Sequence, residues 1–313
     1  MPEFSGCAVQ TPMLFVDRSR VLRNIQRMAE KARRSRVDFR PHFKTHQSRE
    51  IGRWFRDFSV EKITVSSLDM AAYFARDGWK DITVAFPVNL CEAGKINALA
   101  EHVRLHLLAD NPESITALHR KLRAPVGIFL KVDTGYHRAG IPAEEPAAFE
   151  PLLARIERSP NLQFRGFLTH AGHTYAAGRS EKIAAIYRET AEKMQRLKEA
   201  FLPRYPELIL SVGDTPGCSA ADDLSGVDEV RPGNFVFYDL TQLRLGVCKD
   251  EDLAVALACP VVGKYRGRRE AVVYGGAVHF SKERDVWRDG RVHFGFPAEW
   301  AGKGWSAPRP AAS

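Results

Sequence analysis

The sequence predicts an α/β protein: a (β/α)8 barrel of the TIM type, followed by a partial, truncated β-rich domain. Strand-like segments alternate with helix-like segments over the first 240 residues, which is typical of βαβ units and a parallel sheet. About eight such units fit a closed barrel better than an open doubly wound sheet. After residue 240, strand-like segments follow one another without helices. We therefore predict a barrel domain at residues 1–240 and an incomplete β domain at 241–313.

The barrel strands are predicted from short apolar runs that end in polar residues. The segment 126–135, VGIFLKVDTG, is the clearest, because a nearly continuous apolar run is typical of a parallel strand buried on both faces. The predicted strands are 13–17, 37–46, 62–68, 81–88, 103–110, 126–135, 162–175, 207–216 and 228–239.

The intervening helices are predicted from apolar residues at helical spacing. Asp69 is expected to cap the helix that contains Met70, and Pro112 is expected to open another, since the first turn of a helix tolerates proline. Further helices are predicted at 21–32, 48–58, 90–100, 145–157 and 180–201.

The predicted second domain consists of the strand-like segments 243–248, 252–265 and 270–280. From residue 285 onward glycine and proline crowd the chain, without a strand partner to finish a sheet. We therefore expect this domain to be incomplete.

Composition restricts the class of protein. The apolar fraction of 44% and the charged fraction of 27% are those of an ordinary globular protein. The net charge is +8, and the lysines and arginines are scattered along the chain with acidic residues among them. This pattern disfavours nucleic acid as a partner and favours small anionic ligands. Five cysteines without a C-x-x-C pair, no secretory signal pattern and no apolar stretch of membrane-spanning length predict a cytoplasmic protein.

Lys44 is the first candidate for chemistry. It lies in RPHFKTHQS, residues 40–48, at the end of the second predicted strand, and strand ends form the mouth of such a barrel. A lysine desolvated there has a depressed pKa and can attack a carbonyl as a free amine. The alternative is a solvated surface lysine.

Two late segments have the composition of anion-binding loops. SVGDTPG (211–217) offers Gly213 and Thr215, and RPGN (231–234) offers Gly233 and Asn234. Loops after the last strands of such barrels commonly hold phosphate through backbone N–H groups, although the same residues also form plain turns. Facing Lys44, the two loops predict a phosphorylated carbonyl cofactor.

Arg138 follows the predicted strand 126–135. If it lies against the ring nitrogen of pyridoxal phosphate, it donates no full proton, because a guanidinium stays charged. The ring then remains a moderate electron sink. The alternatives are a surface arginine or one that binds a substrate carboxylate.

The histidines of the 162–175 segment have two interpretations. The spacing H-x-x-H of His170 and His173 is weak support for a metal, and an acid/base role or packing near Tyr175 fits a loop better. A metallohydrolase that uses His42 together with His170 and His173 remains an alternative.

Five ordered motifs resemble one known family. They are RPHFKTH, VDTGYHRAG, LTHAGHTY, SVGDTPG and RPGNFVFYD, spread over roughly residues 10 to 285. Together they are similar to the D-threonine aldolase and D-serine dehydratase family, fold-type III pyridoxal-phosphate enzymes with an alanine-racemase-like barrel, which are usually homodimers.

The resemblance implies roles for individual residues. Lys44 would be the Schiff-base lysine and Arg138 the partner of the pyridine nitrogen. The remaining cofactor-lining residues would be Tyr175, Thr215, Gly233 and Asn234, the last three around the phosphate.

One departure from the family is large. Its members carry a His-x-Cys or His-x-Asp pair that binds a divalent metal, and neither pair occurs in these 313 residues. The metal would polarise the substrate β-hydroxyl. We therefore expect no metal ligands in this chain, and a pyridoxal-phosphate-dependent lyase for D-β-hydroxy amino acids whose activity is impaired by loss of the metal site.

Dehydration and aldol cleavage stay open as the reaction of this lyase. Lys44 and His173 are the expected catalytic residues. The alternative function is a non-catalytic protein of pyridoxal-phosphate homeostasis on the same barrel.

Overall fold

The computed structural model describes residues 9–287, 290–299 and 305–306. Two compact units are present, one formed by residues 24–236 and the other by described residues on either side of that stretch. The predicted domains 1–240 and 241–313 stay a prediction, because a compact unit is not by itself an independently folding domain.

The strands and helices are numbered in chain order. The strands are β1 (Met13–Val16), β2 (Asp38–Phe39), β3 (Lys62–Val65), β4 (Asp81–Pro87), β5 (Arg104–Ala109), β6 (Val126–Asp133), β7 (Ile141–Pro142), β8 (Leu162–Thr169), β9 (Ile209–Val212), β10 (Glu229–Val230), β11 (Val255–Ala258), β12 (Val261–Tyr265), β13 (Glu270–Val273), β14 (Asp285–Val286) and β15 (Val292–His293). The α-helices are α1 (Arg18–Arg34), α2 (Arg49–Trp54), α3 (Leu68–Ala75), α4 (Ala93–Ala100), α5 (Pro112–Lys121), α6 (Glu150–Glu157), α7 (Ser180–Phe201), α8 (Thr215–Ala220) and α9 (Leu240–Arg244).

A parallel barrel forms the unit of residues 24–236. Its strands pair in the order β2-β10-β9-β8-β6-β5-β4-β3, and every one of these pairs is parallel. The two ends of the path meet at one parallel bridge between His42 and Thr64. There the N–H of Phe43 donates to the carbonyl of Thr64 at 2.8 Å. The predicted (β/α)8 barrel is confirmed as a nearly closed barrel of eight parallel strands.

Apolar side chains fill the inside of the barrel. In β6 every residue from Val126 to Val132 is buried, as the apolar run predicts. Leu108, Phe129 and Leu168 form a buried cluster from three neighbouring strands. This packing holds the strands in register, so the polar residues that follow them meet at one end of the barrel.

The first turns of the helices explain where they begin. Helix α5 begins at Pro112 as predicted, and the side chain of Asn111 caps it. The predicted cap of α3 is wrong, because Ser67 has the extended backbone of a cap and its Oγ accepts from Met70 N at 3.2 Å. Asp69 lies in the first turn of α3. None of the described helices is long and apolar enough to cross a bilayer.

The second unit contains small antiparallel sheets. Strand β1 pairs with β11, β12 with β13, and β14 with β15, the last pair lying in a segment where no sheet was predicted. The strand predicted at 243–248 is wrong. Asp239 Oδ1 accepts from Gln242 N at 2.9 Å, and this cap begins helix α9, which takes up residues 243–244. Residues 245–248 then form a turn and a bend. The rest of the C-terminal prediction, at 288–289, 300–304 and 307–313, lies outside the described residues.

Candidate active site

A cavity of about 200 Å³ lies at the end of the barrel where the strands terminate in polar residues. Most of its lining comes from loops that directly follow barrel strands, as expected for the carboxyl end of a parallel barrel. The lining residues are His42, Lys44, Thr45, Ala85, Leu108, Lys131, Arg138, Leu168, His170, Tyr175, Gly213, Asp214, Thr215, Arg231, Gly233 and Asn234.

The structure brings six of the seven predicted site residues together in this cavity. They are Lys44, Arg138, Tyr175, Thr215, Gly233 and Asn234. His173 is not part of the lining; it lies in the 3-10 helix Gly172–Ala176, with its ring 6.4 Å from that of Tyr136. The geometry thus places these residues, while their chemical roles remain predictions.

Lys44 has the electrostatic setting of an amine nucleophile. Partial desolvation of its amine, followed by the positive charges of Arg138 and Arg231, lowers its pKa from that of a free lysine. Its backbone N–H donates to Nδ1 of His42 at 3.3 Å, which fixes the loop around it. A larger fraction of the Lys44 side chain is therefore a neutral amine near neutral pH than for a lysine in water.

The two histidines of the lining are neutral. Burial lowers the pKa of His170 to about 3, and its Nδ1 donates to the carbonyl of Gly213 at 2.5 Å. Burial and then the charge of Lys44 also lower the pKa of His42. The described residues contain no group of three or more His, Cys, Asp or Glu side chains that could hold a metal, so the metallohydrolase alternative gains no support there.

The two predicted anion-binding loops contact each other. The Oγ1 of Thr215 accepts from the N–H groups of Gly233 at 3.2 Å and Phe235 at 3.3 Å. A Cβ at Gly233 would lie 2.9 Å from the carbonyl oxygen of His42, so only glycine lets the 231–234 loop approach the 40–48 segment so closely. Because the Thr215 oxygen already accepts twice, its own proton is free to point toward an anion.

Asp214 connects these loops to the 3-10 helix Gly172–Ala176. Its Oδ1 accepts from Gly217 N at 2.5 Å and from Thr174 Oγ1 at 2.9 Å. Burial raises the pKa of Asp214 to about 6. The carboxyl group therefore caps α8 and holds the segment that carries Tyr175.

The predicted site missed two cationic residues of the lining. Lys131 is 6% exposed, and burial followed by the charges of Arg231 and Arg138 lowers its pKa to about 7. Burial lowers the pKa of Arg231 to about 10, which leaves it charged at neutral pH. The available signals were a lone lysine inside an apolar strand and an arginine just before Pro-Gly.

The charge balance of the lining suits an anionic ligand. Four lining side chains are basic (Lys44, Lys131, Arg138 and Arg231), against one carboxyl group, Asp214. A phosphate dianion would offset this excess of positive charge, and the hydroxyl of Thr215 offers it a donor. The residues present therefore fit a phosphorylated aldehyde whose carbonyl reaches Lys44.

The chain belongs to the family of the alanine racemase N-terminal domain, whose model matches residues 16–240. It is 33% identical to D-threo-3-hydroxyaspartate dehydratase of Delftia sp. over 92% of this chain and 77% of the relative. It is 31% identical to D-serine dehydratase of Dictyostelium discoideum, over 88% of this chain and 74% of the relative.

Solved structures of D-threo-3-hydroxyaspartate dehydratase, one of them from Delftia sp. HT23, have the same fold. One superposes with a TM-score of 0.84 at 28% identity, covering 96% of this chain and 83% of that one. A cysteine-to-alanine variant of D-threo-3-hydroxyaspartate dehydratase, in a metal-free form, superposes with a TM-score of 0.82 at 29% identity, covering 96% of this chain and 83% of that one.

Proposed function

We propose that this chain is a pyridoxal-phosphate-dependent lyase that acts on D-β-hydroxy amino acids. The observation that carries the proposal is the position of Lys44, a partly desolvated amine on a cavity that also contains two glycine-bearing loops and three further cations. The relatives support the reaction class, since they include dehydratases of D-threo-3-hydroxyaspartate and of D-serine.

Each proposed cofactor contact uses a group of this chain. Thr215, Gly233 and Asn234 would hold the phosphate, and Tyr175 would line the cofactor. Arg138 would pair with the ring nitrogen without giving up a proton. When bound, pyridoxal phosphate supplies an electrophilic carbonyl and a sink for the electrons of the substrate α-carbon.

Proton transfer would fall first to Lys44. Its lowered pKa leaves a neutral amine that can accept the α-proton of the substrate. His173 stays the second proposed acid/base residue, although its place outside the cavity lining favours Lys44. His170 presents a neutral ring to the cavity, with its Nδ1 proton held by Gly213.

Borohydride trapping tests the cofactor proposal. The chain is mixed with pyridoxal phosphate, reduced and digested, and the peptides are mapped by mass. We expect a reduced adduct on Lys44 that is absent from Lys44→Ala. A matched control is Lys182→Ala, at an exposed lysine of α7, which should keep the adduct. An adduct elsewhere would contradict the proposal.

The metal is the point on which the lyase proposal and its alternative differ. The 313 residues contain no His-x-Cys or His-x-Asp pair. We propose that loss of the β-hydroxyl is therefore slow in this chain, and that turnover gains little from added metal. With and without manganese or zinc, D-serine, D-threonine and D-threo-3-hydroxyaspartate should give pyruvate, 2-oxobutyrate and oxaloacetate respectively if dehydration dominates, and glycine if aldol cleavage does.

A non-catalytic role in pyridoxal-phosphate homeostasis is the second candidate, and the missing His-x-Cys or His-x-Asp pair favours it. It predicts the Lys44 adduct without product from any of the three substrates, with or without metal. Measurable pyruvate, 2-oxobutyrate, oxaloacetate or glycine that disappears in Lys44→Ala would exclude it.

We also propose a homodimer in the cytoplasm. The cysteines of the described residues, Cys91, Cys218, Cys248 and Cys259, are free thiols, which suits a reducing compartment. Sedimentation equilibrium of the full chain should give twice the 35.1 kDa mass of one chain.

A further inference from the structure

A chain of hydrogen bonds runs through the barrel wall from Arg231, which lines the cavity. One guanidinium nitrogen of Arg231 donates to the hydroxyl of Ser211, and the other donates to the carbonyl of Thr169 at 2.6 Å. The hydroxyl of Ser211 lies 2.5 Å from Oε1 of Glu229. The other oxygen of Glu229 accepts from Nε of Arg40 at 2.5 Å.

The direction of these hydrogen bonds is fixed by chemistry. A guanidinium only donates and a carboxylate only accepts. The single proton of Ser211 therefore points to Glu229, and its lone pair points to Arg231. Although burial alone would raise it, the pKa of Glu229 is lowered by the Arg40 charge and the Ser211 hydroxyl, so the carboxylate is ionised.

The far end of this chain is anchored by charge. Arg40 is 3% exposed and binds both Glu229 and Asp81, each at 2.5 Å. Among the described residues no carboxylate lies within ion-pair distance of Arg231. Ser211 is therefore the link through which the Arg231 guanidinium is connected to the buried carboxylate.

We propose that Glu229, acting through Ser211, is the positioning residue that holds Arg231 on the cavity, and that this hold sets how tightly the cavity binds an anionic cofactor. The identity of that cofactor rests on the function proposed above. The hydrogen-bonded arrangement itself concerns only this chain's own residues.

Removal of the link tests the proposal in the full-length chain. In Ser211→Ala the guanidinium of Arg231 loses one of its two acceptors and keeps the carbonyl of Thr169. We expect the dissociation constant for pyridoxal phosphate to rise about tenfold, as for one lost hydrogen bond to a charged group. Ser211→Thr keeps a hydroxyl and should bind within about twofold of the unaltered chain, since the acceptor remains. Fluorescence titration measures both constants, and thermal melts check that the variants fold.

Thr83→Val is the matched control. Thr83 lies in β4, is fully buried, and its hydroxyl has no hydrogen-bond partner among the described residues. The substitution therefore removes a buried hydroxyl from the barrel without altering the contacts of Arg231. Equal affinities of Ser211→Ala and Thr83→Val would overturn the proposal, as would weak binding by a folded Ser211→Thr.

A second measurement does not need the cofactor. The groups whose charge acts on Lys44 or responds to it are Arg138, Arg231, His42 and His170, of which only the two arginines are charged at neutral pH. If Arg231 is released, its repulsion weakens and the pKa of Lys44 rises. The pH midpoint for acylation of Lys44, followed by peptide mass mapping, should shift upward in Ser211→Ala and not in Thr83→Val.

The two measurements separate the possible failures. If the unaltered chain does not bind pyridoxal phosphate while the midpoint still shifts in Ser211→Ala, the proposed function fails and the positioning role stands. If binding is normal and neither quantity changes in Ser211→Ala, the positioning role fails and the proposed function stands.

Discussion

Lys131 is a cation on an otherwise apolar strand, and its environment makes stability depend on pH. It is 6% exposed and has no carboxylate partner among the described residues. Its pKa is about 7 in the folded protein, against 10.5 for a free lysine. Between these two values the unfolded chain binds more protons than the folded chain, so the free energy of unfolding rises with pH across this window.

Lys131→Met should stabilise the cofactor-free protein at pH 6. The substitution removes a buried ammonium, and we expect a gain of about 2 kcal/mol, since one pKa unit corresponds to about 1.4 kcal/mol and the bond to the Val132 carbonyl is lost. Urea unfolding at several pH values measures this gain, which should shrink toward pH 10. The exposed lysine variant Lys182→Met should change little; a destabilised Lys131→Met would contradict the account.

Gly233 tests the close approach of the 231–234 loop to the segment that carries His42 and Lys44. The Cβ of Gly233→Ala would lie 2.9 Å from the carbonyl oxygen of His42 and 3.1 Å from its Cβ. We expect a loss of about 1–3 kcal/mol in unfolding free energy and weaker cofactor binding, because backbone must move. Gly94→Ala, in α4 with nothing within 4 Å of the new methyl, should be neutral or slightly stabilising.

At the level of single elements, the start of α3 offers a direct comparison of two candidate caps. Ser67→Ala removes the acceptor for Met70 N and should cost about 1 kcal/mol. Asp69→Ala removes only an exposed ion pair with Lys95 and should lower the unfolding free energy less than Ser67→Ala does. Thermal or urea unfolding of the two variants decides between them, and the opposite order would restore Asp69 as the cap.

The sequence allowed the barrel elements and six cavity residues to be predicted, because strand ends in a parallel barrel share one edge. Lys131 escaped prediction, since an apolar run does not reveal which side of a strand faces the cavity. The strand wrongly predicted at 243–248 had alternating apolar residues, and the cap at Asp239 outweighed that pattern. Apolar periodicity does not show how Lys131 packs against residues that are distant in sequence. It also does not show the local cap between Asp239 and Gln242.

Across the whole barrel, buried charges should govern stability in acid. Burial alone would raise the pKa of Asp81 and of Glu229, but Arg40, together with His106 at Asp81 and Ser211 at Glu229, lowers both. Such carboxylates contribute stability that is fully present above their unfolded values, 3.8 and 4.5, and is lost as pH falls through the folded values. We expect unfolding free energy to fall steeply below about pH 4.

Arg40→Met should lower the free energy of unfolding much more than the loss of a surface arginine does. It leaves Glu229 and Asp81 without their shared partner, and we expect a loss of about 3–5 kcal/mol at pH 7. Arg204→Met also removes an arginine that binds two carboxylates, Glu150 and Glu157, but these ion pairs lie on the surface, so the unfolding free energy should fall far less. Equal losses in urea unfolding would contradict this difference.

The closure of the barrel at the bridge between His42 and Thr64 has a dynamic consequence. In the part of the chain that the structure describes, two backbone hydrogen bonds close the barrel there, from Phe43 N to Thr64 O and from Thr64 N to Pro41 O. Two hydrogen bonds break at a lower free-energy cost than the long ladder between β6 and β8. In hydrogen–deuterium exchange, the amides of Phe43 and Thr64 should therefore exchange sooner than those of Leu130 and Leu168. Lys44 directly follows Phe43 in this weakly bonded closure. A cofactor bound covalently to Lys44 would therefore restrain local opening and slow the exchange of both amides.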